Sequence, residues 1–455
     1  MNAKGAMASI VFVWLLLAAL FGVNLYFSEN HSILNPVVSL VPSVAKDVFW
    51  LFAVVMVSCY GRQSLGNHFL RNEGIKIIVL VNLGMLVIWV LAATLSAKNG
   101  LDVGYVKLFK NMILYGTLTY IMTAAAYDDL GPAMYRYVKP IITGALAFSC
   151  LLYFLIEPGF KVLEEPRLFG TFGNPNTAGL MAFLSFSLAV EQLTAKVGDH
   201  MNWMIVMHIV IATIVLILAA SLSALLMLIV FLAIRRPILR TVGIRDKDHV
   251  LAYCAVSLII AVAVVWLGYA LTGVHVILYK RITDLFHGYS DSTIVRINDL
   301  HYISATSYAF ILEAHGHTMI WVLTKILRIV GLLPPDSFHL FDGVIFTFLW
   351  HFGVMGVVVV LLPFLTLFII FIRNLGALRS YPNTDVKRRI TISANALLVA
   401  GMVSLPLQHQ FQIFPANFFL AFFICQLILQ ISSLKNADSI SRKNKAKQRL
   451  GPPAS

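Results

Sequence analysis

Two segments of the chain carry arginine in a setting that suits the binding of a phosphate group. In the first, Arg167 lies among the turn-forming Gly, Pro and Asn residues that lead from Glu164 to Gly179. The second is the run DSTIVR, which ends at Arg296. A guanidinium group presents several N–H donors in a planar fork that matches phosphate oxygens. Arg167 and Arg296 are therefore candidates for holding an anion, with pairing to a nearby carboxylate as the alternative for each.

Two further residues could act as proton acceptors. Asp342 and His339 close a long polar interval that begins at Gly273. A carboxylate or an imidazole next to two arginines could remove the proton from an attacking hydroxyl group. For Asp342 the alternative is a structural role as the N-cap of the next helix, where Asp is common.

Histidines in the same interval are weaker candidates. His315 and His317 lie near Glu313, but no second cluster follows at a zinc-ligand spacing. A surface turn is the favoured interpretation, so we predict neither a metal nor a cofactor. The four cysteines all lie inside apolar runs, which is typical of packed thiols rather than disulfides.

The composition indicates which kind of fold holds these residues in place. Of 455 residues, 59% are hydrophobic and 12% are charged, and the mean hydropathy is +0.84. A soluble domain needs far less apolar surface, so we predict an all-α polytopic membrane protein. The formal net charge of +13 arises from short basic clusters between apolar runs. Such clusters orient a membrane protein, and we expect no nucleic-acid partner.

Apolar runs of spanning length predict about twelve transmembrane helices. They cover residues 9–27, 38–59, 76–96, 105–126, 137–156, 176–194, two crossings within 202–234, 250–271, 353–372, 391–408 and 413–432. The interval 202–234 is too long for one crossing, and the small residues from Ala219 to Ser223 predict a reversal there. The Lys/Arg clusters lie on the same side of the membrane as both termini, which predicts that this side is cytoplasmic.

The spans divide the chain into four parts. Residues 1–272 form the first nine spans and include the short Arg167 loop, and residues 273–342 form one large loop between spans nine and ten. Residues 343–434 form the last three spans, and residues 435–455 form a basic cytoplasmic tail. We expect a disordered tail attracted to anionic lipid. The apolar run from Met319 to Val330 predicts an amphipathic helix at the outer interface.

Three motifs resemble the O-antigen polymerase and ligase superfamily, which contains the Wzy-type polymerases and the WaaL-type ligases. They are RxxGxxGNPN from Arg167 to Asn176, DSTxxR from Asp291 to Arg296, and FDG followed by FGVMG between Phe341 and Gly356. The resemblance covers nearly the whole chain. It implies a GT-C-like glycosyltransferase bundle in the bacterial inner membrane, with both loops on the periplasmic face.

The family resemblance also implies a reaction. A glycan moves from undecaprenyl diphosphate to a sugar hydroxyl group, without a metal, a cofactor or a nucleotide sugar. Arg167 and Arg296 would stabilise the departing diphosphate, and Asp342 would be the base, with His339 as its rival. The further candidates for substrate binding are Asn174, Asn176, Arg281 and Tyr302.

The end of the large loop favours one branch of the family. Ligases usually carry His followed by Asn there, whereas Phe341-Asp342-Gly343 resembles the Asp of many polymerases. We therefore expect a polymerase of lipid-linked repeat units for O-antigen or a related surface polysaccharide. A ligase that transfers the glycan to lipid A core or a protein is the alternative, and a flippase for the same lipid is less favoured. The expected partners are the lipid-linked oligosaccharide, membrane lipids and, as a further candidate, a chain-length regulator.

Two features depart from the family pattern. Many members carry Ser-Arg at the turn after span seven, whereas Ser221-Leu222-Ser223 contains no arginine. The Trp that usually follows the loop arginine is replaced by the His301-Tyr302 region. A third cationic contact and the packing of the loop are therefore left open.

Overall fold

The computed structural model describes residues 13, 16, 47–48, 51–95, 110–155, 167–168, 170–172, 174–195, 203–244, 249–272, 277–287, 294–295, 297–299, 301–304, 341, 343–407 and 416–449. All regular elements in these ranges are helical. The α-helices are α1 Leu51–Tyr60, α2 Arg62–His68, α3 Glu73–Leu95, α4 Tyr115–Ala125, α5 Tyr127–Leu155, α6 Pro175–Ala195, α7 Trp203–Ala219, α8 Leu222–Thr241, α9 His249–Thr272, α10 Leu278–Phe286, α11 Val344–Arg373, α12 Leu375–Ser380, α13 Thr384–Leu407 and α14 Ala416–Arg449. A π-helical turn, Lys110–Leu114, precedes α4, and a 3-10 turn, Gly170–Phe172, precedes α6.

Six helices in the described part of the chain are long and apolar enough to cross a membrane. These segments are Val138–Leu155, Leu222–Thr241, Val250–Leu271, Val344–Arg373, Thr384–Leu407 and Ala416–Leu434. The all-helical class and the membrane-spanning character are thereby confirmed. The total of about twelve spans stays a prediction, since the predicted first span at 9–27 lies almost entirely outside the described residues.

Helix α6 is the central helix of the bundle. Pro175 occupies its first helical position, where a missing N–H costs nothing. Residues 177–191 are all buried, as expected of a helix that is apolar on every side. Helices α5, α7, α8 and α13 pack around it. The first turn of α6 follows the Arg167 loop, so this loop is joined to the most enclosed part of the fold.

The chain breaks between α7 and α8, at the small residues where a reversal was predicted. A Cβ atom on Gly179 would lie 2.8 Å from the Ser221 Cβ, so α8 begins against the first turns of α6. Further along, the rings of Phe183 and Phe231 lie 5.8 Å apart. Helix α8 therefore runs beside α6 in the same direction. Only glycine at position 179 allows the two backbones to approach this closely.

Helix α11 contains a sharp break at Gly353. This residue has φ 58° and ψ −151°, which is not helical and is available essentially to glycine alone. A Cβ atom on Gly356 would lie 2.4 Å from the Phe348 carbonyl oxygen, so the chain folds back on itself here. A short first segment, Val344 to Phe352, therefore precedes the long apolar segment. The break coincides with the predicted start of a span at 353.

The tail was predicted to be disordered, and this prediction is wrong for residues 435–449. Helix α14 continues through the basic run to Arg449. A helix already nucleated in the bundle adds residues at little cost, and Lys and Arg are good helix formers that favour a helix C-terminus.

Candidate active site

The end of α7 is surrounded by donors from distant parts of the chain. The last carbonyl groups of a helix have no partner within it and lie at the negative end of its dipole. Here the Leu168 amide donates to the Leu218 carbonyl at 3.1 Å. Arg167 Nε donates to the Ala219 carbonyl at 3.0 Å, and Arg281 Nη1 donates to the Ala220 carbonyl at 3.3 Å. Two guanidinium groups thus meet at one helix end.

The conformation of the turn explains how these carbonyls become available. Ala220 has φ 47°, in the left-handed region, which ends the helix abruptly. Ser221 and Ser223 follow, both buried, with their hydroxyl oxygens 3.3 Å apart. Consecutive Cα atoms are about 3.8 Å apart, so Arg167 and Arg281 bind within one small region. We call this region, formed by Arg167, Arg281 and the turn 219–223, the arginine site.

Arg167 also connects the arginine site to the start of α6. Its Nη2 donates to Asn176 Oδ1 at 3.0 Å. One planar fork therefore binds the last residue of α7 and the first turn of α6 together, which sets the direction of the guanidinium plane. Two of the candidate site residues, Arg167 and Asn176, are thus in direct contact.

The side chain of Asn174, which is a candidate for substrate binding, contacts the start of α6. Its Oδ1 accepts hydrogen bonds from the amides of Asn176, at 2.8 Å, and Thr177, at 3.4 Å. This is the N-cap arrangement of α6. The amides of Asn176 and Thr177 are therefore bonded within the protein, because the Asn174 side chain accepts from both.

Arg281 reaches the arginine site from α10. Among the residues that the structure describes, its hydrogen-bond partner is the neutral Ala220 carbonyl. A guanidinium group has five N–H donors, so most of the hydrogen-bonding capacity of Arg281 is left for another ligand. Arg281 thus brings a cation to a turn whose own sequence contains none.

Two aromatic rings lie beside Phe341, the residue that precedes Asp342. Tyr302 lies 5.5 Å from Trp350 and 6.3 Å from Phe341 between ring centroids, and Phe341 and Trp350 are 5.9 Å apart. The Phe341 amide donates to Thr347 Oγ1 at 3.1 Å, which ties the end of the large loop to the start of α11. Tyr302 therefore packs against two rings next to the start of α11.

The aromatic group and the arginine site share one end of the bundle. A Cβ atom on Gly343 would lie 2.5 Å from the Pro406 carbonyl oxygen near the end of α13. Two residues earlier in α13, Ser404 Oγ lies 3.3 Å from Met227 Sδ in the second turn of α8. Since α8 begins at the arginine site, the start of α11 lies at the same end.

Three predicted catalytic residues, Arg296, His339 and Asp342, lie outside the described residues, as do His315 and His317. The N-cap position of α11 is occupied by Gly343, one residue after Asp342. In the described part of the chain, no group of three or more His, Cys, Asp or Glu side chains could hold a metal ion.

Comparison of the chain with protein-family models and with curated proteins finds no match in either. The resemblance to the O-antigen polymerases and ligases therefore rests on the motifs around Arg167, Asp291 and Phe341.

A second polar cluster lies at the opposite end of the bundle. Glu191 is buried near the end of α6, with Oε1 at 3.0 Å from Arg389 Nε, and Ser393 Oγ donates to its other oxygen at 3.2 Å. Next to it, Lys139 Nζ donates to Gln192 Oε1 at 2.6 Å. Charged side chains therefore also lie inside the bundle at this end.

Sequence reasoning missed two components of these sites. It did not find the Ala219 and Ala220 carbonyls, because a backbone group has no residue-type signal. It also missed the pairing of Glu191 with Arg389, although a lone Glu inside an apolar run was a usable signal.

Proposed function

We propose that this protein is an integral membrane glycosyltransferase that polymerises undecaprenyl-diphosphate-linked oligosaccharide repeat units on the periplasmic face of the inner membrane. The observation that supports this proposal is the meeting of Arg167 and Arg281 at one end of a membrane bundle. Two guanidinium groups held near the membrane surface suit the diphosphate of a lipid carrier.

In the proposed reaction, the hydroxyl oxygen of the acceptor sugar attacks the anomeric carbon of the donor glycan. The bond between that carbon and the diphosphate oxygen breaks, and the diphosphate leaves with the electron pair. Arg167 and Arg281, together with Arg296 from the large loop, stabilise the negative charge that develops on the leaving group. Asp342, with His339 as its rival, takes the proton from the acceptor hydroxyl.

Arg281 has a more direct role in this proposal than as a peripheral substrate contact. It supplies at the turn the cation that family members often carry within the turn itself. Because the Ala220 carbonyl uses one donor, the remaining N–H groups are available to phosphate oxygens. Arg167 is more constrained, since Ala219 and Asn176 fix its orientation.

A flippase for the same lipid is the second candidate, and two observations favour it. Helix α11 is broken at Gly353, and the buried pair of Glu191 and Arg389 lies inside the bundle. Broken helices and interior ionisable groups are typical of transporters. The Glu191 and Arg389 pair, however, lies at the end of the bundle opposite the arginine site.

The test uses the purified full chain in nanodiscs with an undecaprenyl-diphosphate-linked repeat unit and no nucleotide sugar. A ladder of products that grows by one repeat unit supports a polymerase. A single transfer that requires lipid A core or a protein acceptor identifies the ligase. No product in either assay, with movement of the lipid across vesicle membranes, identifies the flippase.

A further inference from the structure

Helix α10 has two chemically distinct sides. At 3.6 residues per turn, its apolar side chains fall within an arc of about 120°. These residues are Leu278, Tyr279, Ile282, Leu285 and Phe286. Lys280, Thr283 and Asp284 occupy the opposite side. Such a helix is suited to an interface between an apolar phase and water.

The apolar side of α10 is not covered by the bundle. Tyr279 is 81% exposed and Phe286 is 83% exposed, although both are large aromatic residues. No residue of α10 is fully buried. Arg281 lies at the edge of the apolar arc and joins this helix to the bundle, since it donates to the Ala220 carbonyl.

The position of α10 in the chain identifies what covers this apolar side. It begins five residues after α9 ends, and α9 is a candidate membrane span whose outward side exposes Ile259, Trp266 and Leu271. A spanning helix with such a surface faces lipid. The exposed side of α10 therefore continues a lipid-facing surface at the level where that span leaves the membrane.

We propose that α10 lies in the membrane interface, with Tyr279 and Phe286 inserted among the lipids, and that this insertion holds Arg281 against the turn at Ala220. Tyr is enriched at this depth because its ring is apolar and its hydroxyl group is polar. Lys280 and Asp284 face water on the other side. Arg281 is then a residue positioned by the bilayer as well as by the protein. The inference concerns membrane contact and does not depend on the proposed reaction.

The experiment measures membrane contact by spin labelling. The four native cysteines are replaced by serine, and single cysteines are introduced as Tyr279→Cys, Phe286→Cys, Lys280→Cys and Asp284→Cys in the full chain. Each labelled protein is placed in nanodiscs of phosphatidylglycerol and phosphatidylethanolamine. Accessibility to oxygen, which concentrates in lipid, is compared with accessibility to a water-soluble nickel chelate.

We expect the oxygen-to-nickel ratio at 279 and 286 to exceed that at 280 and 284 several-fold. A high nickel accessibility at 279 and 286 would overturn the proposal, since the helix would then face water. Low accessibility to both reagents would also overturn it, because protein would then cover the side. Phe286→Trp and Thr283→Trp provide a second measurement: brominated lipid should quench the added fluorescence of the first variant and not of the second.

Discussion

Arg167 and Arg281 donate to the carbonyl oxygens of consecutive residues, Ala219 and Ala220. The first arginine comes from the loop before α6, and the second comes from the loop region after α9. Their meeting point is the end of α7, whose terminal carbonyls attract cations. One helix end thus collects the positive charge that a diphosphate substrate requires.

Replacement of Arg281 tests the proposed function directly. Arg281→Gln removes the charge while it keeps a side chain that can donate to the Ala220 carbonyl. We expect the rate of chain growth to fall on the order of 100-fold, as when a preorganised donor is lost from an active site. The measurement is the product ladder in nanodiscs.

The matched control is Lys280→Gln, which removes a neighbouring positive charge on the exposed side of the same helix. Its ladder should equal that of the unmodified protein. Equal losses in both variants would mean that the general charge of α10 matters and that the position of the Arg281 charge at the turn does not.

Two substitutions of Asn174 distinguish a helix-capping role from a substrate-binding role. Asn174→Ala removes the acceptor for the Asn176 and Thr177 amides and should lower the free energy of unfolding by about 1 kcal/mol. Asn174→Ser retains a capping oxygen and should recover most of that stability, together with the activity. If the serine variant is as inactive as the alanine variant while its thermal midpoint is normal, Asn174 contacts substrate instead.

The pair of Glu191 and Arg389 is expected to stabilise the end of the bundle opposite the arginine site. Glu191→Gln leaves Arg389 and Ser393 with a weaker acceptor inside the bundle, at a cost of roughly 1–3 kcal/mol. Because the Arg389 side chain is 36% exposed, we expect a smaller loss of stability than for a fully buried ion pair. The thermal midpoint in detergent measures this loss, and a double-mutant cycle with Arg389→Gln isolates the coupling.

Asp385→Asn serves as the comparison for that pair. Asp385 is exposed and lies 3.9 Å from Arg388, so its loss should change stability by less than about 0.5 kcal/mol. If Asp385→Asn lowers the thermal midpoint more than Glu191→Gln does, burial does not determine how much these ion pairs stabilise the protein.

Gly353 should resist substitution. Gly353→Ala forces a side chain into a backbone conformation that costs roughly 1–3 kcal/mol for residues other than glycine, so we expect a lower thermal midpoint. Gly376→Ala in α12 is the control, because no atom lies within 4 Å of the added Cβ and alanine is the better helix former. An unchanged thermal midpoint for Gly353→Ala would mean that the surrounding fold does not force residue 353 into this backbone conformation.

Several elements could be predicted because apolar pattern and length determine them locally. Helix α6 matches the predicted span 176–194, and α9 matches 250–271, since a run of apolar side chains in lipid has few alternatives to a helix. The break at Ala219–Ser223 was visible because the apolar run exceeded one crossing. The start of a span at Gly353 was visible for a similar reason.

The sequence by itself therefore determined the class of the protein and the position of many helices, and it identified Arg167 as a candidate site residue. Only the tertiary structure decided that Arg281 shares its site, that Asn174 is a helix cap and that Glu191 pairs with Arg389. The physical reason is that two of these contacts join residues far apart in the chain, and two of them use backbone carbonyls or amides. Such groups are the same at every position, so their roles depend on where the fold leaves them without a partner.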